Sequence, residues 1–147
     1  MIIIILVTRK EPKMTLQDLI SNPQSLVSLY RHWPSLKGGR ITFLKFHERG
    51  PTLDINILLN QVPDYPPKRW SREEYNAVSI SISFFGAESI SMKNWGVNNV
   101  IKDLLVEDNE VDGIPWKKVD CKTEEVQFQF QCIDIRVYRV VPVLISS

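Results

Sequence analysis

Alternating apolar and polar positions dominate the chain from residue 40 onward and predict strands rather than helices. The segment RITFLKFHERGPTLDINILLN, residues 40–60, holds two such runs on either side of a Gly-Pro turn. AVSISISFF at 77–85 and VQFQFQC at 126–132 alternate throughout. A period of two is typical of a strand with one face buried, and turn residues between such runs predict hairpins. We therefore expect a mainly antiparallel sheet built of hairpins.

Weaker patterns extend this sheet. Ile90 and Met92 follow a turn at Gly86 and predict a further strand, and IDIRVYRVV continues the sheet until Pro142. VIKDLLV is ambiguous between helix and strand, and we interpret residues 103–107 as a strand. The acidic stretch that follows, VEDNEVDGIPWKKVD, is predicted to be a solvated loop.

Two helical segments precede the strands. TLQDLI places its apolar residues on one helical face, and Thr15 with Asp18 resembles a capping box. Asn22 is expected to cap a second helix with Pro23 in its first turn, and Pro34 stops that helix. The predicted fold class is α+β, with short N-terminal helical segments packed on a mainly antiparallel sheet. We expect residues 15–147 to form one domain and residues 1–14 to be a leader or an extra edge strand.

Composition narrows the class of protein. The chain has 147 residues, of which 44% are hydrophobic and 24% charged, which is ordinary for one globular domain. A formal net charge of +1 provides no general attraction for nucleic acid or for a membrane surface. The apolar run 2–7 is far shorter than the about 20 residues that span a bilayer. We expect a cytoplasmic protein whose two cysteines are reduced, with neither nucleic acid nor membrane as partner.

The histidine at the first hairpin is the first candidate for chemistry. His47 and His32 are the only histidines, and neither lies in a nucleophile elbow or a metal-binding helix motif. Gly50 supplies the positive φ that a hairpin turn often requires, and Pro51 begins the returning strand. We therefore predict a turn without a reactive role.

The acidic stretch is the second candidate. Asp108, Glu110, Asp112 and Gly113 resemble the first half of a calcium-binding loop, but Val119 stands where the bidentate glutamate belongs. A solvated acidic loop that meets a basic partner is the better interpretation. We predict that Asp108, Glu110 and Asp112 bind the partner, with Trp116 as their apolar anchor.

The proline-rich segment NQVPDYPPKRWSREEYN, residues 60–76, is the third candidate. Tyr, Trp and Arg are common anchors of protein interfaces, so Tyr65, Arg69 and Trp70 are predicted to support partner binding. The alternative is that Trp70 and Tyr75 fold back over the core or a sheet edge. Neither a phosphate-binding glycine motif nor a metal motif is present, so we expect no cofactor and no metal.

Several segments resemble the immunity protein 50 family of bacterial polymorphic-toxin systems. The likeness rests on HWPSL, on the hairpin ITFLKFHERGPTLDINILLN, on PPKRW and on YNAVSISISFFGAESISMKNW. It covers residues 25–142, whereas the family's acidic position after the Pro-Ser element is replaced here by Lys37-Gly38-Gly39. The resemblance implies a non-enzymatic protein that binds and neutralises a cognate protein toxin, with no catalytic residues to carry over. A small hydrolase using carboxylates and a structural or adaptor subunit are the alternatives, and the oligomeric state is open.

Overall fold

The computed structural model describes residues 16–48, 50–96 and 98–146. The predictions for residues 1–14 and for the capping box at Thr15 lie outside these residues. Two helices and eight strands follow in the order α1 Leu16–Leu19, α2 Gln24–Val27, β1 Arg40–His47, β2 Thr52–Leu59, β3 Ala77–Phe85, β4 Glu88–Lys93, β5 Ile101–Val111, β6 Ile114–Thr123, β7 Gln127–Cys132 and β8 Asp134–Val143. A 3₁₀ turn at Lys68–Trp70 lies between β2 and β3. No helix in the described part of the chain has the length and apolarity to cross a membrane.

The strands form two four-stranded antiparallel sheets. Sheet 1 has the order β1-β2-β3-β8, and sheet 2 has the order β4-β7-β6-β5. The prediction of a mainly antiparallel structure with short helices is therefore confirmed in its broad form. It was wrong in its proportions, because the second helix does not extend towards Pro34 and each helix is a single turn of 4 residues.

The core lies between the apolar faces of the two sheets. Alternation along β2, β3 and β7 directs one row of side chains inward on each strand. The rings of Phe84 in sheet 1 and Phe130 in sheet 2 meet edge to face, with centroids 4.9 Å apart. The buried core side chains on these three strands include Leu53, Ile55, Ile57, Val78, Ile80, Ile82, Phe84, Phe128 and Phe130. This packing between sheets is what makes the eight strands one unit.

The chain passes from one sheet to the other at two neighbouring corners. β3 continues into β4 through Gly86, and β7 continues into β8 through Ile133. The Ile133 amide donates to the Phe85 carbonyl at 2.8 Å, so the two corners are hydrogen-bonded to each other. Gly86 has φ of +66°, and a Cβ there would lie 3.0 Å from the Ile133 side chain. The corner therefore needs glycine for both conformation and space.

The outer edge of β8 is covered by the helical region. The Asn22 side chain accepts a hydrogen bond from the Val137 amide at 2.9 Å and donates to the Val137 carbonyl at 2.6 Å. The Ser21 amide donates to the Ile135 carbonyl. Asn22 therefore satisfies the backbone of an edge strand. The prediction that it caps the second helix is wrong, since Pro23 holds the cap position without a side-chain bond.

The β1–β2 connection is the turn that the sequence predicts. Gly50 has φ of +58°, and a Cβ added to it would meet no atom within 4 Å, so space is available but the conformation disfavours other residues. We expect Gly50→Ala to lower the free energy of unfolding by about 1 kcal/mol, because only backbone strain is introduced. Urea unfolding measures this loss. Gly38→Ala, with φ of +87° and equally open space, is the matched control and should cost a similar amount. A Gly50→Ala variant as stable as wild type would contradict the turn geometry.

Candidate functional site

The predicted acidic loop is the end of a long hairpin. β5 reaches Val111 and β6 begins at Ile114, so the segment predicted as a loop is strand on both sides of a two-residue turn. β7 pairs with β6 only between Lys117 and Lys122. Residues 109–116 therefore extend past the third strand as a two-stranded ribbon. We call this ribbon, together with Glu107 and Asp108 at its base, the β5–β6 arm. Its residues 107–115 are all exposed.

The tip of the arm explains why the loop prediction was wrong. Asp112 and Gly113 have φ of +52° and +79°, the pattern of a type I′ turn. An Asp-Gly pair between two strands is a strong hairpin signal, and it marks both the end of β5 and the start of β6. Extended strands also differ from the folded loop that encircles calcium. No group of three or more His, Cys, Asp or Glu residues in the described part of the chain is arranged to hold a metal ion.

Strand alternation divides the predicted site residues between the two faces of the arm. Asp108 pairs with Lys117 and Glu110 with Pro115, on the face that continues into the core. Asn109 pairs with Trp116 and Val111 with Ile114, on the opposite face. Trp116, which is half-buried, therefore does not share a face with Asp108 and Glu110. The apolar residues that do accompany it are Val111 and Ile114, which are 47% and 42% exposed.

Negative charge is concentrated in the arm. Residues 107–116 contain Glu107, Asp108, Glu110 and Asp112 and neither lysine nor arginine, although the whole chain has a net charge of +1. The ion pairs between described residues are His47–Asp54, Lys102–Glu124 and Arg136–Asp134, so none belongs to the arm. Lys117 and Lys118 lie opposite Asp108 and Glu107 at the base of the arm, but neither forms an ion pair with them, and the Lys117 Nζ donates to the Ile133 carbonyl at 2.8 Å. The arm carboxylates thus remain open to solvent.

Part of the segment 60–76 packs into the hydrophobic core. Trp70 is only 4% exposed, and its ring meets that of Tyr75 edge to face with centroids 5.6 Å apart. The structure therefore favours the alternative in which Trp70 and Tyr75 fold back, and Trp70 is not an exposed anchor. Tyr65 is 52% exposed and its hydroxyl accepts a bond from Arg31 Nε at 3.4 Å. Arg69 is exposed as predicted.

Arg69 lies beside a shallow cavity far along the chain from the arm. The cavity has a volume of about 290 Å³ and is formed where α2 and the 3₁₀ turn meet the edge of β8. Arg139 and Tyr138 line it together with Arg69, and no acidic residue does. This surface is basic, whereas the arm is acidic. The structure accordingly offers two separate surfaces of opposite charge rather than one combined site.

A polar network covers the outward face of sheet 1. Asp54 and Asn56 on β2 alternate with the core residues, and both are 8% exposed. Ser83 Oγ donates to Asp54 Oδ1 at 2.7 Å, while Ser79 and Ser81 donate to Asn56 Oδ1 at 2.8 Å each. Each nearly buried oxygen has a donor, so the network stabilises the pairing of β2 with β3.

His47 joins this network through Asp54. Its Nε2 lies 2.5 Å from Asp54 Oδ2. The order of groups is therefore Ser83, Asp54, His47, with the carboxylate in the middle. Activation of a serine requires the imidazole to stand between hydroxyl and carboxylate and to take the hydroxyl proton. Here Ser83 donates to the carboxylate instead, so the three residues do not form a nucleophilic triad.

The two cysteines are buried thiols. Burial raises the pKa of Cys121 from 9.0 to about 12, and the charges of Asp120 and Asp103 add to the increase. Burial likewise raises the pKa of Cys132 to about 12, although Lys117 opposes the shift. A thiol that stays protonated at neutral pH is a poor nucleophile and a poor metal ligand. Both residues are free cysteines that fill the core.

These pKa values predict alkaline behaviour. Because each thiol has a pKa of about 12 in the folded protein and 9.0 as its ordinary value, the folded state favours the protonated thiols. Their contribution to the free energy of unfolding is complete below pH 9.0 and is lost as the pH rises towards 12. Tyr30, whose pKa burial raises from 10.0 to about 12, adds to the loss above pH 10. We expect the thermal unfolding midpoint to fall over this range. Thiol labelling at about pH 8, below the ordinary thiol pKa, should be slow in native protein and fast in urea. Equal labelling rates would show that the thiols are accessible.

Comparison with known proteins assigns the chain to a family. Residues 22–143 match the family model described as Immunity protein 50. This range contains every strand of both sheets. Neither the curated proteins nor the solved structures give a significant match. The match places the chain in a family of immunity proteins. The chain belongs to the immunity protein 50 family.

Proposed function

We propose that this protein binds a cognate protein toxin and blocks it without catalysing a reaction. The observation that carries the proposal is the family match over residues 22–143, since an immunity protein is named for protection against a toxin. The toxin is expected to belong to a bacterial polymorphic-toxin system. Protection by occupancy requires a rigid, complementary surface and no chemistry. The cytoplasm, where the producing cell would meet the toxin, is the compartment we propose.

The β5–β6 arm is the surface best suited to this task. It projects past β7 and is anchored at its base by pairing with the rest of sheet 2. A ribbon held in this way is ordered before binding, which lowers the entropy cost of association. Asp108, Glu110 and Asp112 present charge to a basic toxin surface and would accelerate encounter.

The opposite face of the arm provides apolar contact. Val111 and Ile114 are exposed side by side, and Trp116 lies next to them on the same face. Exposed apolar side chains grouped in this way are suited to form the centre of a protein interface. We propose that the toxin contacts both faces of the arm, or that it contacts the apolar face while the carboxylates of the opposite face accelerate association by charge attraction. Tyr65 and Arg69 form a secondary binding surface, which excludes Trp70 because that side chain is buried.

The decisive experiment pairs this protein with a toxin encoded beside its gene. Co-expression should restore growth to cells that produce the toxin domain, and purified proteins should form a one-to-one complex in calorimetry. The affinity should decrease as salt increases, because the arm contributes long-range charge. Protection without a stable complex would favour the hydrolase alternative. Large self-assemblies without any toxin complex would favour the adaptor alternative.

A further inference from the structure

β4 is an edge strand of sheet 2 along its whole length. It pairs with β7 on one side, and no described strand pairs with its other side. All six of its residues are exposed. By contrast, Asn22 and Ser21 cover the edge of β8, and Gly39 and Ile101 join the starts of β1 and β5. An uncovered edge presents unpaired N–H and C=O groups to any strand of suitable shape.

The register of β4 is symmetric about Ser91. Glu88, Ser91 and Lys93 lie opposite Gln131, Gln129 and Gln127 of β7, respectively. These three glutamines are two residues apart and share the outward face of sheet 2. A bulge at Ser89, with φ of +54°, absorbs the extra residue between Glu88 and Ser91. Glu88 and Lys93 therefore stand on one face, at equal distances along the sheet from Ser91.

We propose that two copies of this chain pair through β4, antiparallel and with Ser91 on the two-fold axis. This arrangement brings Glu88 of each copy opposite Lys93 of the other, so the same ion pair forms twice. A two-fold interface must be self-complementary, and a strand with opposite charges equidistant from its centre meets that requirement. The main-chain groups of the two edges would complete each other, as in strand addition.

Side chains on both faces of β4 support a second copy as the occupant. Gln131 Nε2 donates to Glu88 Oε1 at 2.7 Å, which orients the carboxylate along the edge and leaves Oε2 for an incoming lysine. On the opposite face, Ile90 and Met92 are 39% and 37% exposed, although Met92 lies beside the core residue Phe128. Pairing would cover these apolar side chains and continue the core across the axis. The proposal is independent of toxin binding, because the arm lies at the other end of the sheet order.

Charge reversal tests the proposal on the full-length protein. Sedimentation velocity over a concentration series should show a monomer–dimer equilibrium in wild type. Glu88→Lys and Lys93→Glu each create two like-charge contacts across the axis, and each should weaken dimerisation about tenfold or more. An equimolar mixture of the two variants should form a heterodimer, since every contact in it again joins opposite charges. The doubly substituted protein should also dimerise.

Two controls separate this interface from general charge effects and from misfolding. Glu73→Lys changes the net charge by the same amount as Glu88→Lys, at an exposed residue outside β4. This variant should leave dimerisation unchanged. Circular dichroism of the single variants should match wild type, and the heterodimer itself reports that both fold. A wild-type protein that is monomeric at all concentrations would overturn the proposal and identify the Ser89 bulge and Lys93 as edge protection. A dimer indifferent to charge reversal would place the interface elsewhere.

Discussion

Changing Asp108, Glu110 and Asp112 together to Asn, Gln and Asn is expected to weaken toxin binding about 100-fold and to abolish protection in cells. A factor of 100 corresponds to about 2.7 kcal/mol, a loss that three solvent-facing charges reach when they meet a basic surface. The proposal behind this expectation is that the toxin binds the β5–β6 arm. Calorimetry with the purified toxin domain, repeated at low and high salt, measures the loss.

The amide substitutions preserve the arm while removing its charge. Asn tolerates the positive φ of Asp112, and Gln and Asn match the shapes of the acids they replace. The carboxylates make no ion pair with another described residue, so the folded state loses no such contact. The variant should therefore unfold at nearly the wild-type urea concentration. Its reduced salt dependence of binding would identify the lost interaction as electrostatic.

A control variant loses the same number of negative charges as the arm variant, but at positions outside the arm. Glu48→Gln with Glu73→Gln and Glu74→Gln removes three exposed carboxylates outside the arm. We expect full protection and unchanged affinity. If the arm variant protected as well as this control, the arm would not be the recognition element. The apolar face is then tested by Ile114→Ser, and the secondary surface by Arg69→Ala.

Phe84→Ala is expected to lower the free energy of unfolding by about 3–5 kcal/mol, the largest effect of any single change proposed. Phe84 is 1% exposed, and its ring contacts Phe130 across the core. Removing it leaves a cavity between the two sheets, which adds to the loss of buried apolar surface. Because the net stability of a domain is only about 5–15 kcal/mol, this loss should markedly lower the urea concentration at which the protein unfolds.

The neighbouring residue is an internal control for this prediction. Phe85 belongs to the same strand but is 39% exposed, since successive side chains point to opposite faces. Phe85→Ala deletes the same atoms and should cost much less than Phe84→Ala. Chemical denaturation of both proteins gives the comparison. Equal losses would contradict the assignment of Phe84 to the space between the sheets.

Strong local patterns made much of the secondary structure predictable. β3 at Ala77–Phe85 and β7 at Gln127–Cys132 carry strict alternation, and the structure confirms both strands. The turn at Gly50 was predictable because glycine is the residue that adopts positive φ without strain. β6 was missed because it lacks alternation where Lys117 occupies the core-facing row. Its Asp112-Gly113 turn was the available signal.

Interactions distant in sequence explain where the structure departs from what local patterns suggest. Asn22 has the residue type of a helix cap, but Val137 is 115 positions away and only the folded chain brings the two together. Trp70 has the residue type of an interface anchor, and its burial depends on Tyr75 and on the core that it covers. Trp116 was joined to Asp108 and Glu110 by proximity in sequence, whereas the pleat sends them to opposite faces.

The antiparallel strands, the Gly50 turn and the family follow from the amino-acid sequence alone, because these depend on periodicity, on glycine conformation and on short motifs. The division of the strands into two sheets is visible only in the folded chain, since the corners at Gly86 and Ile133 exist only once β3 and β8 are paired. The folded chain also shows that the acidic residues lie on a projecting arm rather than in a loop. Whether a strand projects depends on where its neighbour ends, and β7 ends its pairing with β6 at Lys117. Pairing between strands is a long-range property, and local sequence does not encode it.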